Sequence, residues 1–407
     1  MTKKVVLAYS GGLDTTVCIR WLQERGCDVI AFCADLGQGE DLQAAKRRGL
    51  ACGAVKGVIH DLRQEFVRDF VLPALKAGAI YEGKYLLATA LSRPLIAKHL
   101  AQVARQEGAT HVAHGCTGKG NDQVRFEVTL AALAPTLKVI APVREWDLTS
   151  REEEIAYAQR HRLPITVTKK SPYSLDQNLW GVSIECGPLE DPWTEPPEEA
   201  YRWTRSPASS PKPPAYVVIR FERGAPAALN GRRLPLVTLI ARLNTLGARY
   251  GVGRTDLLED RLVGIKSREV YEAPAATILH AAHRELEQLT LHRETLEFKE
   301  LVAARYARLI YDGLWYAPLR AALDGFIEKT QQTVTGEVRV KLWGGQAIPV
   351  GRRSPRGLYH KTLATYGDQD QFDQRAAEGF IAIWGLPYRS EDRGAASAGR
   401  SHRRGAR

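Results

Sequence analysis

The chain has 407 residues and a mass of 45.1 kDa, and 44% of its residues are hydrophobic. This length allows two or three folded units, and the 25% of charged residues is typical of globular proteins and excludes a wholly disordered chain. The net charge of +11 would attract nucleic acid and small anionic substrates alike, so charge does not choose between them.

No apolar run reaches the roughly 18 residues of a membrane span, and no export signal is recognised at the N-terminus. We therefore expect a cytoplasmic protein without a membrane partner. Six cysteines lie in the first half of the chain with no Cys-x-x-Cys pair among them, which favours buried free thiols over disulfides or structural zinc: Cys18, Cys27, Cys33, Cys52, Cys116 and Cys186.

The first 165 residues alternate between short apolar runs and segments with helical spacing. Strands are predicted at 5–8, 29–32, 111–114 and 139–140, and helices at 15–23, 61–77 and 92–107. This alternation predicts an α/β domain over residues 1–165, built on a parallel sheet that helices cover. Ligands of such sheets bind at the carboxyl ends of the strands.

The remainder is expected to form an α+β domain over 170–365. Residues 187–215 contain eight prolines and predict an irregular connection. Strands are predicted at 216–221 and 334–342, and helices at 235–250, 274–290 and 293–312. We interpret 366–388 as an oligomerisation segment and the basic tail 389–407 as disordered.

The strongest local signal for a phosphate site lies between the first strand and the first helix. Two adjacent glycines allow the backbone to approach a phosphate, and the helix N-terminus offers unpaired N–H groups. Hydroxyl groups add donors, and Asp14 is expected to cap the helix and also to steer a metal ion near the phosphates. An ordinary capped helix shares this pattern, so the spacing alone leaves both interpretations open. The segment is Ala8-Tyr9-Ser10-Gly11-Gly12-Leu13-Asp14-Thr15-Thr16.

The residues from Ser10 to Thr16 are similar to the pyrophosphatase loop of the N-type ATP pyrophosphatases. Further segments resemble the argininosuccinate synthase family, and together the resemblance covers about residues 4–385. They are Phe32 to Glu40, His114 to Glu127, Ser174 to Trp180, Glu190 to Trp193, Arg261 to Glu272 and Gly351 to Pro355.

The resemblance implies a fold like that of the adenine nucleotide alpha hydrolases, followed by a synthetase domain. It also implies the reaction. The ureido oxygen of citrulline attacks the α-phosphate of ATP and releases pyrophosphate; the amine of aspartate then displaces AMP from citrullyl-adenylate. The expected ligands are ATP with Mg²⁺, citrulline and aspartate. The resemblance also implies a homotetramer, and nucleic acid is not expected as a partner.

The family's site residues carry over by position. ATP would lie on Ala8 to Thr16 with Ala34 and Gly115, and aspartate on Thr117, Asn121 and Asp122. Citrulline would lie on Tyr85, Asn121, Arg125, Ser174, Ser183, Glu259 and Tyr271. Arg125 suits the citrulline carboxylate and Glu259 its ammonium, while Asp122 suits the ammonium of aspartate. No side chain is assigned as a general base.

Each of these residues also has an ordinary structural interpretation. Arg125 and Glu127 would suit a solvated helix face, and 259–261 an exposed ion-pair cluster. The grouping of His111, His114 and Cys116 is compatible with a metal site, but we interpret it as a histidine at the end of a strand beside a buried thiol. His280 and His283 lie one helical turn apart without a third ligand nearby in the sequence, which suggests packing or surface placement.

Departures from the family pattern concentrate in the citrulline positions. Ala90 stands where a serine is usual, so a hydroxyl group is lost unless Thr89 or Ser92 replaces it, and Glu269 stands where a glycine is usual. A paralogue that adenylates a different ureido or carbonyl substrate is therefore the alternative function. A tRNA-thiolating enzyme is not favoured, because such enzymes relay sulfur through a cysteine pair and this sequence shows no convincing one. A non-catalytic nucleotide-binding module is not favoured either, because it would not need the residues at the aspartate and citrulline positions.

Overall fold

A parallel sheet of five strands forms the N-terminal part of the chain, in the order β3-β2-β1-β4-β5. The computed structural model describes residues 3–165 and 172–389. The strands are β1 Lys3–Ala8, β2 Cys27–Asp35, β3 Lys56–Asp61, β4 His111–Ala113 and β5 Lys138–Ile140. The strand order reverses between β1 and β4, which is where ligands of open parallel sheets bind.

Helices cover both faces of this sheet. Val6 belongs to the core on one face, whereas Val5 and Leu7 belong to the core on the other. Because successive side chains of a strand point to opposite faces, a strand buried on both sides has an uninterrupted apolar run. The helices are α1 Leu13–Glu24, α2 Leu42–Ala51, α3 Arg63–Glu65, a π-helical segment Phe66–Val71, α4 Leu72–Ala77, α5 Ala88–Gln106, α6 Asp122–Leu133, α7 Pro142–Glu145 and α8 Arg151–Arg160.

Two antiparallel sheets follow, in the orders β11-β12-β7-β6 and β10-β9-β8-β13-β14. The strands are β6 Ser174–Asn178, β7 Gly181–Glu185, β8 Ala215–Glu222, β9 Ala225–Leu229, β10 Arg232–Arg233, β11 Arg254–Asp260, β12 Lys266–Glu272, β13 Gly336–Trp343 and β14 Gln346–Arg353. The helices between them are α9 Leu236–Arg249, α10 Pro274–Thr290, α11 Arg293–Tyr311 and α12 Pro318–Gln331. This architecture confirms the predicted α/β sheet followed by α+β structure.

The helix predicted at 92–107 begins earlier, at Ala88. Leu87 precedes it in a left-handed conformation with a φ of 65°. The hydroxyl of Tyr85 accepts hydrogen bonds from the amides of Thr89 and Ala90, at 3.0 and 3.2 Å. A tyrosine four residues upstream thus satisfies the helix N-terminus, which no capping signal in the sequence indicates.

The proline-rich segment is irregular, as predicted, with only three short 3₁₀ turns between residues 187 and 215. Glu272, fully buried at the end of β12, fastens it. Its carboxylate accepts hydrogen bonds from the backbone amides of Arg202, Trp203 and Thr204. These bonds replace the secondary-structure partners that the prolines deny to this segment.

The chain divides into two compact units, Met1–Gly357 and Leu358–Arg407. The second contains α13 Lys361–Ala364 and α14 Ala376–Trp384, and none of the residues in these two helices is buried. The predicted divisions at 165–170 and 366 stay predictions, and the predicted tail from residue 390 onward lies outside the described residues. None of the helices in the described ranges combines the length and hydropathy needed to cross a bilayer.

Candidate active site

The loop after β1 brings a row of backbone amides to the carboxyl edge of the parallel sheet. Gly11 has a φ of 81°, and Gly12 caps α1 without any side-chain hydrogen bond. The expectation that Asp14 caps the helix is wrong, because α1 begins at Leu13 and Asp14 lies in its first turn. The first amides of α1 have no intrahelical acceptors, and they carry the positive end of the helix dipole.

The hydroxyl groups of the loop point in two directions. Ser10 is exposed, and its Oγ lies 3.1 Å from Oγ1 of Thr15 and 3.3 Å from the amide nitrogen of Gly12. Thr16 is buried, and its Oγ1 lies 3.2 Å from the hydroxyl of Tyr9. Ser10 therefore presents its hydroxyl at the loop surface, whereas Thr16 holds Tyr9 in the interior.

Two neighbouring strand ends meet this loop. Ala34, near the end of β2, is braced by Gln38, whose amide donates to the Ala34 carbonyl at 2.8 Å. Gly115 follows β4, and a methyl group placed on it would lie 3.0 Å from Cγ2 of Thr15. The three segments predicted to hold ATP therefore lie together at one edge of the sheet.

A chain of buried polar side chains joins four parts of the fold. Asn121 donates to the Tyr311 hydroxyl at 2.8 Å, and that hydroxyl donates to Glu259 Oε1 at 2.7 Å. Tyr271 donates to Glu259 Oε2 at 2.6 Å and stacks on Tyr85, with ring centroids 4.2 Å apart. Four residues predicted for citrulline therefore form one cluster with Tyr311, which no sequence motif indicates because none surrounds the end of α11.

Arg125 is only 3% exposed, which excludes a solvated helix face at this position. Its Nε donates to the Tyr311 carbonyl at 3.0 Å and its Nη1 to Asp122 Oδ1 at 3.0 Å. Its Nη2 is buried without a hydrogen-bond partner. A buried charged donor of this kind is costly unless a ligand satisfies it, and a carboxylate matches its geometry.

Glu259 and Asp122, the two carboxyl groups near Arg125, have pKa values that are shifted in opposite directions. Burial raises the pKa of Glu259, against the two tyrosine hydroxyls and Arg125, which lower it. Burial acts in the same direction on Asp122, but Arg93 and Arg125 outweigh it and lower the pKa of that carboxyl. Asp122 is thus held as a carboxylate between two guanidinium groups, and exposed Thr117 lies on the loop before it.

The predicted serines lie on the neighbouring antiparallel sheet. Ser183 is directly opposite Tyr271, and Ser174 is opposite Glu185 on the same face. Oγ1 of Thr89 lies 3.3 Å from Oγ of Ser183, whereas the Ser92 hydroxyl donates to the Thr89 carbonyl at 2.8 Å. Thr89 is therefore the residue that supplies a hydroxyl beside Ala90.

Glu269 adds a third carboxyl group to this face. It is 5% exposed and pairs with Arg261 at 2.6 Å, while Arg261 also reaches Glu185 at 2.7 Å. Burial raises the pKa of Glu269, and the carboxylates of Glu185 and Glu259 raise it further against the effect of Arg261. The expectation of an exposed cluster at 259–261 is wrong for Glu259, which is 3% exposed.

The histidines show packing roles. Nε2 of His114 lies 3.1 Å from Glu127, and Nε2 of His283 lies 2.8 Å from the side-chain oxygen of Gln331. Within residues 3–165 and 172–389, no group of three or more histidine, cysteine, aspartate and glutamate side chains is placed to hold a metal ion.

Comparison with known proteins gives matches over nearly the whole chain. The family model of the argininosuccinate synthase N-terminal HUP domain matches residues 4–164, and that of the C-terminal domain matches residues 173–391. The argininosuccinate synthase of Rubrobacter xylanophilus is 58% identical, over 95% of this chain and 94% of its own. Those of Carboxydothermus hydrogenoformans and Symbiobacterium thermophilum are 57% and 59% identical, each over 95% of this chain and 97% and 96% of their own.

The raised pKa of Glu269 predicts a pH-dependent stability. The folded state holds the proton of Glu269 more tightly than the unfolded chain does. The contribution of this proton to the free energy of unfolding is therefore complete below the ordinary carboxyl pKa and is lost as pH rises through the raised pKa. As pH rises from 5 to 9, we expect the free energy of unfolding of the wild type to fall by about 1–3 kcal/mol relative to that of Glu269→Gln. Urea unfolding at several pH values measures this, with exposed Glu297→Gln as the control. A constant difference across this range would contradict the prediction.

Proposed function

Because the chain belongs to the argininosuccinate synthase family, we propose that the cluster around Arg125 and the loop after β1 form its active site. The enzyme is an ATP-dependent carbon–nitrogen ligase of arginine biosynthesis. It joins citrulline to aspartate through citrullyl-adenylate and gives argininosuccinate, AMP and pyrophosphate.

The observation that carries the site assignment is the unpartnered Nη2 of Arg125 in the same cluster as Glu259. A free amino acid brings one carboxylate and one ammonium group. The guanidinium matches the first and the carboxyl of Glu259 the second. The stacked rings of Tyr85 and Tyr271 would form an apolar wall for the aliphatic part of citrulline, and Ser183 with Thr89 would supply hydroxyls.

The loop of Ala8 to Thr16 would hold the phosphates of ATP, and Ala34 and Gly115 would lie beside its adenosine. The free amides of α1 and the exposed Ser10 hydroxyl support this placement. The ureido oxygen is a weak nucleophile, so rate enhancement rests on alignment with the α-phosphate and on compensation of phosphate charge. No general base is assigned.

Aspartate would bind on the next loop, at Thr117, Asn121 and Asp122. The amide of Asn121 is already held by Tyr311 and by the backbone amide of Leu262, at 2.8 and 2.9 Å. It is therefore fixed in orientation before substrate arrives. Asp122, ionised between its two arginines, would accept a hydrogen bond from the aspartate ammonium and so position the amine.

Asp14 and Glu154 would hold the Mg²⁺ that accompanies ATP. Their carboxyl groups share a hydrogen bond, and burial with the neighbouring Asp14 raises the pKa of Glu154 to about 8. Oε2 of Glu154 is buried without a partner. Paired carboxylate oxygens are ligands that Mg²⁺ prefers. The ion would neutralise phosphate charge.

Two features of the molecule support the proposal of a cytoplasmic homotetramer. All six cysteines are free, which fits the reducing cytoplasm. On α14, large apolar side chains are exposed, among them Phe380 at 61% and Trp384 at 67%. An apolar helix of this kind is typical of an interface, and we propose that copies of the chain cover it in a homotetramer.

The decisive experiment measures pyrophosphate release from Mg-ATP with citrulline and aspartate, added separately and together. Full release is expected only with both, together with a stoichiometric condensation product.

Arg125→Lys retains a charge for Asp122 but loses Nη2, so we expect the KM for citrulline to rise about 10–100-fold. The exposed Arg284→Gln is the control. Pyrophosphate release that does not depend on citrulline would contradict the substrate assignment. An unchanged KM for citrulline in Arg125→Lys would contradict the role of Arg125.

The Mg²⁺ assignment predicts a change in metal dependence. Glu154→Gln is expected to raise by about tenfold the Mg²⁺ concentration that supports half-maximal ATP binding. Titration calorimetry over a Mg²⁺ series measures it. Glu152→Gln, on the exposed side of α8, is the matched control. Identical Mg²⁺ dependence in both variants would reject Glu154 as a ligand.

The interface assignment predicts a mass of four times the 45.1 kDa chain in light scattering after size exclusion. Trp384→Glu places a charge on the apolar face of α14 and is expected to shift the population to smaller species. Glu378→Gln, on the same helix, should leave the mass unchanged. A wild type that elutes as single chains would overturn the proposal.

A further inference from the structure

Arg48, on α2, lies against the phosphate loop. A methyl group placed on Gly11 would lie 2.8 Å from Nη2 of Arg48 and 3.1 Å from Cβ of Ala45. The guanidinium therefore occupies the space beside the loop that the missing side chain of Gly11 leaves open. Tyr9, also in the loop, has its pKa raised by burial, and its contact with Arg48 opposes that rise.

Among the described carboxyl groups, Arg48 has only a longer-range electrostatic interaction with that of Glu40, and no direct ion pair. No ion pair within 4 Å involves Arg48 among residues 3–165 and 172–389, whereas its neighbour Arg47 pairs with Asp41 at 3.5 Å. Nε of Arg48 is buried and has no hydrogen-bond partner. Burying a charged donor without a partner is unfavourable, so the site is suited to an anion that arrives from solution.

We propose that Arg48 binds the β- and γ-phosphates of ATP and stabilises the pyrophosphate that leaves. The inference rests on the proposed function, because it places the triphosphate on the loop of Ala8 to Thr16. When the ureido oxygen bonds to the α-phosphorus, the bond to the bridging oxygen breaks and its electron pair stays on pyrophosphate. A guanidinium beside the loop compensates that charge where it accumulates.

Position on the chain separates Arg48 from the amino-acid pocket. Arg125 and Arg93 are engaged with Asp122, at the far end of the 115–122 segment from Thr15. Arg48 reaches the loop from the opposite neighbour of β1, since α2 follows β2. Its variants should therefore change phosphate recognition and leave amino-acid recognition intact.

The test compares ATP, pyrophosphate and AMP binding by titration calorimetry for wild type, Arg48→Gln and Arg48→Lys. We expect Arg48→Gln to weaken binding of ATP and pyrophosphate about 10–100-fold and AMP less than about twofold. Arg48→Lys retains the charge and should recover most of the loss. The exposed Arg47→Gln is the matched control.

Equal affinity of Arg48→Gln and wild type for ATP would overturn the inference. An equal loss for AMP and ATP would also overturn it, because it would show that Arg48 only supports the loop. If wild type binds neither nucleotide, the proposed ATP site itself is wrong and the inference falls with it. Wild-type binding of both nucleotides separates these two failures.

Discussion

The buried carboxyl group of Glu259 is the point on which the candidate active site depends. Two tyrosine hydroxyls hold its oxygens, one from the adjacent strand β12 and one from the end of α11. The second hydroxyl also accepts from Asn121, on the loop that leaves the parallel sheet. A single buried acid thus ties three distant segments together, and a buried acid persists only where its partners are fixed.

Around this acid the charges alternate. Arg125 lies between Glu259 and Asp122, and Asp122 lies between Arg125 and Arg93. Each of these two acids therefore has a basic neighbour. A buried acid left without such a neighbour would be costly, so the arginines and acids of this cluster depend on one another.

Much of the site could be predicted from the sequence, because its motifs are local. The predicted phosphate loop depends on two glycines between a strand and a helix, and in the structure Gly11 and Gly12 lie between β1 and α1. The cap predicted at Asp14 was wrong because Gly11 and Gly12 complete the turn, and the cap lies two residues earlier, at Gly12. Tyr311 was missed for a different reason: its role depends on the meeting of α11 with β11, and contacts between distant segments leave no spacing pattern in one sequence.

The segment from Gly115 to Asn121 touches both halves of the site. Gly115 packs against Thr15 of the phosphate loop, and Asn121 bonds to Tyr311. These seven residues are joined by six Cα–Cα steps, so the two ends lie at most about 22 Å apart even in a fully extended chain. Under the proposed site assignment, citrullyl-adenylate would form within that distance of the aspartate amine. It would not have to cross bulk water between the two half-reactions, where hydrolysis would consume it.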